Sequence, residues 1–233
     1  MDKNILIDLN RERKARRAVI VLYDIGAGTA MLISENWRKT ANVPDEIAGH
    51  IEPVFRSGKS RIVQIEEREY FLNVYLPPAR LVVIGAVHIS QSLALITQNT
   101  GFDLEIIDPR TAFATPERFK NTKLSVEWPQ TILEQEPLDP YSALIAVTHD
   151  PKIDDFAITA ALNAGCFYVG ALGSRKTHAK RVERLTGQGI SEEQLEKIHA
   201  PIGLDIGAAN PAEIAVAILA QVIESFRKRG LGE

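Results

Sequence analysis

The chain has 233 residues, a hydrophobic content of 45% and a charged content of 24%, which is ordinary for a globular protein with a core of useful size. Its formal net charge of −3 offers no electrostatic basis for binding nucleic acid, which requires a strongly basic face. The single cysteine, Cys166, excludes an intramolecular disulfide and any CxxC redox or zinc motif. We expect this cysteine to be a buried, inert thiol.

The polar opening Met1–Lys14 lacks the apolar stretch of a signal peptide, and no run approaches the roughly 18 apolar residues of a membrane span. These features predict a cytoplasmic protein with no membrane-spanning segment.

Residues 1–78 predict a small α+β domain. We interpret the basic, helix-friendly segment Asn10–Arg17 as a solvated lead-in. Ile47, Ile51 and Phe55 recur at helical spacing and predict an amphipathic helix over Pro44–Phe55. Strands are predicted at Ala18–Tyr23, Thr29–Ser34, Arg61–Ile65 and Tyr70–Leu76. Pro77–Pro78 separates this part from the rest of the chain.

Residues 79–233 predict a Rossmann-like α/β domain. Apolar runs alternate with helical patterns, which is typical of a doubly wound parallel sheet. Strands are predicted at Leu81–Ile84, Leu104–Ile107, Leu124–Trp128, Ala143–Val147 and Phe167–Val169. Helices are predicted at Ile89–Asn99, Asp154–Ala164, Lys176–Leu185 and Ile214–Phe226. The last begins at a capping Asn210, is apolar nearly all round and is expected to be deeply packed, with a stop at Gly230.

The first strand of this domain ends in Gly85 and leads into a helix, which is the layout of a dinucleotide-binding turn. The usual glycine positions are Gly85, Val87 and Ser90, so only the first is glycine. Val87 places a branched side chain where a phosphate should come nearest, and a β-branched residue resists positive φ. We therefore expect a Rossmann fold with at most weak NAD(P) binding.

Three polar residues near this turn are candidates for ligand binding, each with a structural alternative. His88 lies at the helix start, where backbone N–H groups favour an anion, but it could equally bond a neighbouring carbonyl. Asp108 could accept from a ribose or pterin donor, or it could cap its turn with Arg110 as its partner.

Two later segments also come directly after predicted strands, where open α/β sheets bind their ligands. In Thr148–His149–Asp150 the acid suits a helix cap, which leaves His149 as the candidate. The loop Gly170–Lys176 offers Gly170 and Gly173 for close backbone approach, and Ser174 and Arg175 for an anion. The next basic residues along the chain, Lys176 to Arg184, are typical of a solvated face.

Asp205 stands between Leu204 and Ile206 in an apolar, strand-like context. An acid there is costly unless it lies at a site or pairs with Arg175 or Arg181. The histidines form no HxxxH or HExxH pair, so we expect no metal cage.

Six strings in family order resemble the xanthine dehydrogenase accessory factor (XdhC/CoxI) family. They cover Leu81–Phe226 and lie at Gly85–Ser90, Ile107–Arg110, Pro116–Phe119, Thr148–Lys152, Tyr168–His178 and Pro201–Ala208. The family's turn usually reads Gly-Ala-Gly-His, whereas this chain has Val87 at the second glycine. The family's amino-terminal domain typically carries a Gly-Gly-Cys segment, whereas Met1–Leu76 contains no cysteine, which argues against any step that uses that thiol.

The resemblance implies a protein that binds molybdenum cofactor and helps to insert its sulfurated form into a xanthine dehydrogenase- or carbon monoxide dehydrogenase-type enzyme. It also implies a hydroxylase client, contact with a sulfurase (cysteine desulfurase) and a homodimer. A pterin that carries phosphate is anionic, which suits Arg175 and the two glycine-bearing turns. The alternatives are an NAD(P)-dependent oxidoreductase and a scaffold protein that has lost the cofactor.

Overall fold

A computed structural model describes residues 2–40 and 43–228 of the chain. By its internal contacts the chain divides into two compact units. The first runs to Pro78 and also takes in the chain from Arg227, and the second is Ala79–Phe226. The division of the chain into an α+β domain of residues 1–78 and a Rossmann-like domain of residues 79–233 stays a prediction.

The first unit is a four-stranded antiparallel sheet with helices, as the α+β pattern predicted. Its strand order is β2-β1-β4-β3, and Ile47, Ile51 and Val54 bury one side of α3 in its core. The elements are α1 (Lys3–Lys14), β1 (Val19–Asp24), β2 (Thr29–Ser34), α2 (Trp37–Thr40), α3 (Asp45–Ser57), β3 (Arg61–Ile65) and β4 (Arg68–Tyr75).

Helix α1 corrects the interpretation of Asn10–Arg17 as a solvated lead-in. The helix begins at Lys3, ends at Lys14 and buries Leu9. Glu12 is also buried, and Arg17 offsets the cost of burying its carboxylate by donating to it at 2.6 and 3.0 Å. The segment is therefore tied down by packing and by an ion pair that its basic composition did not reveal.

The second unit contains a six-stranded parallel sheet in the order β10-β9-β8-β5-β6-β7, which confirms the doubly wound α/β fold. One apolar cluster joins the sheet to α4 and α9, and another joins it to α5, α6 and α7, so helices cover both faces. The elements are β5 (Arg80–Ile84), α4 (His88–Thr97), β6 (Asp103–Ile107), β7 (Lys123–Ser125), α5 (Pro129–Gln135), β8 (Ser142–Ala146), α6 (Pro151–Asn163), β9 (Tyr168–Ala171), α7 (Arg175–Gly187), α8 (Glu192–Leu195), β10 (Ile198–His199) and α9 (Pro211–Lys228).

The differences from the predicted elements lie at the edges of this unit. The strand predicted over Leu124–Trp128 ends at Ser125, and Trp128 precedes α5, which has Pro129 at its first position. The two-residue β10 was not predicted, because its pairing with Val169 and Gly170 of β9 leaves no period in the sequence.

Helix α9 begins as predicted, with the Asn210 side chain accepting from the amides of Ala212 and Glu213 at 3.0 Å each. The expected deep packing holds for only part of the helix surface, since Ile218 and Val222 are fully buried but Val216 is 50% exposed. One face packs on the sheet instead, and apolar composition alone could not reveal that the other face stays open. The predicted stop at Gly230 lies outside the described residues.

Cys166 is half-buried, and burial raises the pKa of its thiol to about 12, with Asp139 as a further cause. The thiol is therefore protonated at neutral pH, as expected of an unreactive cysteine.

Gly170 has a packing role, which corrects its assignment as a ligand-binding residue. It is buried in β9, where an added Cβ would lie 2.5 Å from the Tyr168 hydroxyl and 2.7 Å from Ile202. The Tyr168 hydroxyl donates to Gln221 of α9 at 2.7 Å, so it is not free to move aside. The protein's own side chains thus occupy the space that a ligand would need.

We predict that Gly170→Ala lowers the free energy of unfolding by about 1–3 kcal/mol, because the added methyl overpacks this contact. Chemical denaturation followed by circular dichroism measures the change. Gly187→Ala is the matched control, since an added Cβ at Gly187 meets nothing within 4 Å. Equal stability of the two variants would refute the packing role.

Candidate functional site

Most of the predicted binding residues lie along one edge of the parallel sheet, which we call the rim. The rim comprises the segments that come after the carboxyl ends of β5, β6, β8 and β9, which are neighbours in the order β9-β8-β5-β6. The chain leaves β5 toward β6 on one side, and β8 lies on the other side, so the switch point of the sheet falls between β5 and β8. Open α/β sheets bind their ligands at such a point.

Gly85 makes the turn at the switch point and must be glycine there. Its φ is +119°, and an added Cβ would lie 2.8 Å from the Thr148 side chain and 3.3 Å from the Thr148 amide nitrogen. The end of β8 therefore approaches the Gly85 backbone too closely for any other residue. Ser90, at the third glycine position of the motif, is fully buried and donates its hydroxyl proton to the Gly85 carbonyl.

Val87 is compatible with the turn, which corrects the expected backbone conflict. Its φ of −99° and ψ of 179° are extended, so a β-branched residue is unstrained there. Among the residues that the structure describes, no side chain caps the first turn of the next helix, α4, and His88 at its first position is exposed. The early N–H groups of α4 are therefore open to an anion.

Asp108 clamps the turn from inside, so the structure favours its capping role over a contact with a ligand. One carboxylate oxygen accepts from the Ala86 amide at 2.7 Å and from Arg110 Nη2 at 2.8 Å. The other accepts from the Arg110 amide and from Arg110 Nε, each at 2.9 Å. Burial raises the pKa of Asp108, but these hydrogen bonds outweigh burial and lower it overall. With 0% of Asp108 exposed, a contact between its side chain and a ribose or pterin would require this clamp to open.

Arg110 holds an exposed aromatic ring, that of Phe113, at the rim. Its guanidinium lies 4.6 Å from the centre of the Phe113 ring, and Phe113 is 44% exposed. Arg118 holds this segment against the turn: it donates to the carbonyls of Ala86 and Phe113 and, at 2.9 Å, to Gln91 of α4. In the sequence Arg118 stands out only as part of the family string Pro116–Phe119, since a lone arginine in a loop carries no spacing signal.

The segment after β8 combines a helix cap with a strained histidine. Asp150 caps α6 by accepting from the Lys152 amide at 3.0 Å, which is the role expected of it. Thr148 donates to the buried carboxylate of Asp154 at 2.7 Å. His149 is exposed with a φ of +66°, an uncommon conformation for a residue other than glycine.

The segment after β9 presents Arg175 to solvent. Gly173 has a φ of +133°, and the Ser174 hydroxyl caps α7 by accepting from the Thr177 amide at 3.2 Å. Ser174 therefore has a structural task, whereas Arg175 is exposed and contacts no acid within residues 2–40 and 43–228. Of this loop, Arg175 is the residue best placed to pair with an anion.

Two expectations about charged residues are wrong. Asp205 is exposed in an irregular loop rather than buried in a strand, and it pairs with neither Arg175 nor Arg181. The basic run from Lys176 to Arg184 is not wholly solvated, because Arg181 is only 2% exposed and Arg184 pairs with Asp155 at 2.7 and 3.0 Å. Tertiary packing, which sequence spacing does not encode, decides both outcomes.

Within the described part of the chain, no three His, Cys, Asp or Glu side chains gather in a way that could hold a metal ion. The helices described there include none that is both long and apolar enough to cross a membrane.

Comparison with known proteins bears on the same unit. Residues 81–222 match the family model described as the XdhC Rossmann domain. The chain is 32% identical over 160 residues to a Bacillus subtilis protein named as a probable subunit of xanthine dehydrogenase, covering 68% of this chain and 46% of that protein. It is 30% identical over 148 residues to the molybdenum cofactor insertion chaperone PaoD of Escherichia coli, covering 64% of this chain and 40% of that protein.

The match to an uncharacterised Escherichia coli protein, YqeB, is 30% identical over 156 residues and covers 66% of this chain and 28% of that protein. The chain thus spans less than half the length of each of these relatives. A crystal structure of a xanthine dehydrogenase from Bacillus halodurans aligns with 99% of this chain and 69% of that one, at a TM-score of 0.68 and 23% identity. This likeness supports the fold, and the family model covers more than half of the chain. The resemblance seen in the sequence is therefore confirmed, and the chain belongs to the XdhC family.

Proposed function

We propose that this protein binds molybdenum cofactor and assists its maturation and insertion into a molybdenum hydroxylase of the xanthine dehydrogenase or carbon monoxide dehydrogenase type. The observation that carries the proposal is the rim, where the start of α4 after β5 and Arg175 after β9 lie at one sheet edge, on either side of the segment after β8. In the described part of the chain, Arg175 is exposed and pairs with no acid. Membership of the XdhC family supports it, as does the similarity to a protein named as a molybdenum cofactor insertion chaperone.

The chemistry of the rim suits an anionic pterin. The backbone N–H groups at the start of α4 offer donors to a phosphate or an oxo group, and the Arg175 guanidinium offers a planar, charged partner. His88, Arg110 and His149 are further candidates at the same edge. In this proposal Gly85, Asp108, Gly173 and Ser174 act indirectly, by shaping the two turns that present the donors.

No observation favours the NAD(P)-dependent alternative. The acidic residue that would accept from a ribose is Asp108, and both its carboxylate oxygens are already bonded inside the protein. A contact in the usual dinucleotide pose would require breaking this clamp. The scaffold alternative, in which the cofactor has been lost, is an outcome of the experiment below.

The partners in this proposal are a molybdenum hydroxylase client and a sulfurase that modifies the bound cofactor. Homodimer formation and a cytoplasmic location complete it, and both stay predictions. No cysteine lies in residues 1–78, so in this proposal the sulfurase, and not a thiol of that part, supplies the sulfur to the bound cofactor.

We expect the purified chain to bind isolated molybdenum cofactor saturably and to show no saturable binding of NAD(P)H. Binding is measured by protein fluorescence in both titrations. Delivery is measured as transfer of the cofactor to an apo-hydroxylase. Binding of the nucleotide alone would favour an oxidoreductase. Binding of neither would favour a scaffold and would defeat the proposal.

We predict that Arg175→Ala weakens cofactor binding by about 1–3 kcal/mol, or roughly 5- to 150-fold, because a charge-assisted hydrogen bond is lost. Arg175→Lys should recover part of the affinity, since it keeps the charge without the planar guanidinium.

The matched control for this prediction is Lys197→Ala, which removes a positive charge just before β10, at the opposite edge of the sheet. Its ion pair with Glu193 is exposed, so stability should change little. If Arg175→Ala and Lys197→Ala bind the cofactor equally well, Arg175 does not belong to the site.

A further inference from the structure

We propose that a cleft between α6 and α7 is a binding site for the phosphate group of a phosphomonoester, with Arg181 as its central residue. The site lies beside the rim but uses residues other than those assigned above to the cofactor, apart from His149. It does not require the proposed function to be correct. If that function holds, the phosphate of the cofactor is one source of the ligand, and a free phosphomonoester is the other.

The cleft has a volume of about 320 Å³ and opens next to the segments that come after β8 and β9. Small-molecule sites measure roughly 300–1,000 Å³, so the cleft can hold a phosphate group together with a small body. Its lining comes from the segment after β8, the start of α6 and the first three turns of α7. The lining residues are His149, Pro151, Asp154, Asp155, Lys176, Thr177, Lys180, Arg181 and Arg184.

The central feature of the cleft is the buried guanidinium group of Arg181. Its side chain is buried, with only 2% of the residue exposed, and one nitrogen, Nη2, donates to the Leu172 carbonyl at 3.0 Å. The other two nitrogens, Nε and Nη1, have no hydrogen-bond partner among residues 2–40 and 43–228. Buried guanidinium groups are normally paired throughout, so these donors call for an acceptor from outside the chain.

The nearby acids do not supply that acceptor. Asp155 is engaged by Arg184 through two hydrogen bonds of 2.7 and 3.0 Å. Asp154 accepts from Thr148, and in the described part of the chain no ion pair within 4.0 Å joins it to Arg181. The guanidinium therefore keeps unused donors although two carboxylates line the same cleft.

The charges that line the cleft favour an anion. Four cationic side chains, Lys176, Lys180, Arg181 and Arg184, face two carboxylates, Asp154 and Asp155, which leaves an excess of two positive charges when all are ionised. Lys176 and Lys180 are exposed and can turn toward a ligand, whereas Arg181 is held in place by packing.

The two carboxylates distinguish phosphate from sulfate. An ionised carboxylate can only accept hydrogen bonds, so it repels a fully deprotonated oxyanion but can accept from the hydroxyl of a protonated phosphate. Phosphate groups carry such a proton in part near neutral pH, whereas sulfate does not. We therefore expect the cleft to prefer phosphate over sulfate.

The experiment titrates the full chain with inorganic phosphate, and separately with sulfate at the same ionic strength, by isothermal calorimetry and by the shift in Tm. We expect saturable phosphate binding, a rise in Tm and weaker binding of sulfate. Lys180→Gln should weaken phosphate binding by about 3- to 10-fold, and Arg181→Lys by more than about 10-fold.

Lys197→Gln is the matched control, because it removes the same charge at the opposite edge of the sheet and should leave phosphate binding unchanged. Arg181→Lys could unfold the protein, so Lys180→Gln, which alters an exposed side chain, keeps the test decisive. Absence of saturable binding would overturn the proposal, as would equal binding of sulfate or equal losses in Lys180→Gln and Lys197→Gln.

Competition separates the two sources of the phosphate. If inorganic phosphate displaces isolated molybdenum cofactor, and Lys180→Gln weakens both, the cleft exists and holds the phosphate of the cofactor. If phosphate binds without displacing the cofactor, the cleft exists and takes a free phosphomonoester. If the cofactor does not bind at all, the proposed function fails. The phosphate titration then still decides whether the cleft is a phosphate-binding site.

Discussion

The clamp that Asp108 makes beneath the switch point is the interaction on which the rest of the rim depends. Its carboxylate binds the Ala86 amide after β5 and the Arg110 side chain after β6, so one buried charge joins the ends of two neighbouring strands. An unpaired carboxylate at 0% exposure would be very costly, and the Arg110 guanidinium makes its burial possible. Because Arg110 is thereby fixed, the Phe113 ring stacked on it is fixed at the rim as well.

Close approach of backbones is the second constraint on the rim. Gly85 lies so near Thr148 that a Cβ would not fit, and this contact brings the end of β8 against the turn of β5. His149 comes next in the chain, in a left-handed conformation that few side chains adopt. Gly85 and His149 thus lie on either side of the close contact between the ends of β5 and β8. This contact forms the switch point, where open sheets of this class bind their ligands.

The charged and polar residues of the second unit divide into those that support the fold and those left for a ligand. Asp108, Asp150 and Ser174 use their hydrogen bonds on turns and helix starts. Arg175 is exposed without an acid, and Arg181 is buried with two nitrogens that have no partner in the described part of the chain. The proposed cofactor site and the proposed phosphate cleft follow from this division, since only donors without internal partners remain for an anion.

The sequence by itself determined the α/β class, the family and the approximate bounds of the long elements, because buried parallel strands and amphipathic helices leave continuous apolar runs and helical periods. It also located the rim, since residues after successive parallel strands must meet at one edge. Only the tertiary structure decided which candidate residues of this unit are free: Asp108 turned inward, Gly170 became a packing contact, Asp205 stayed in solvent and Arg181 was buried. Contacts between segments distant in the chain determine which groups are hydrogen-bonded and which are buried. A single sequence carries no periodic signal for such contacts.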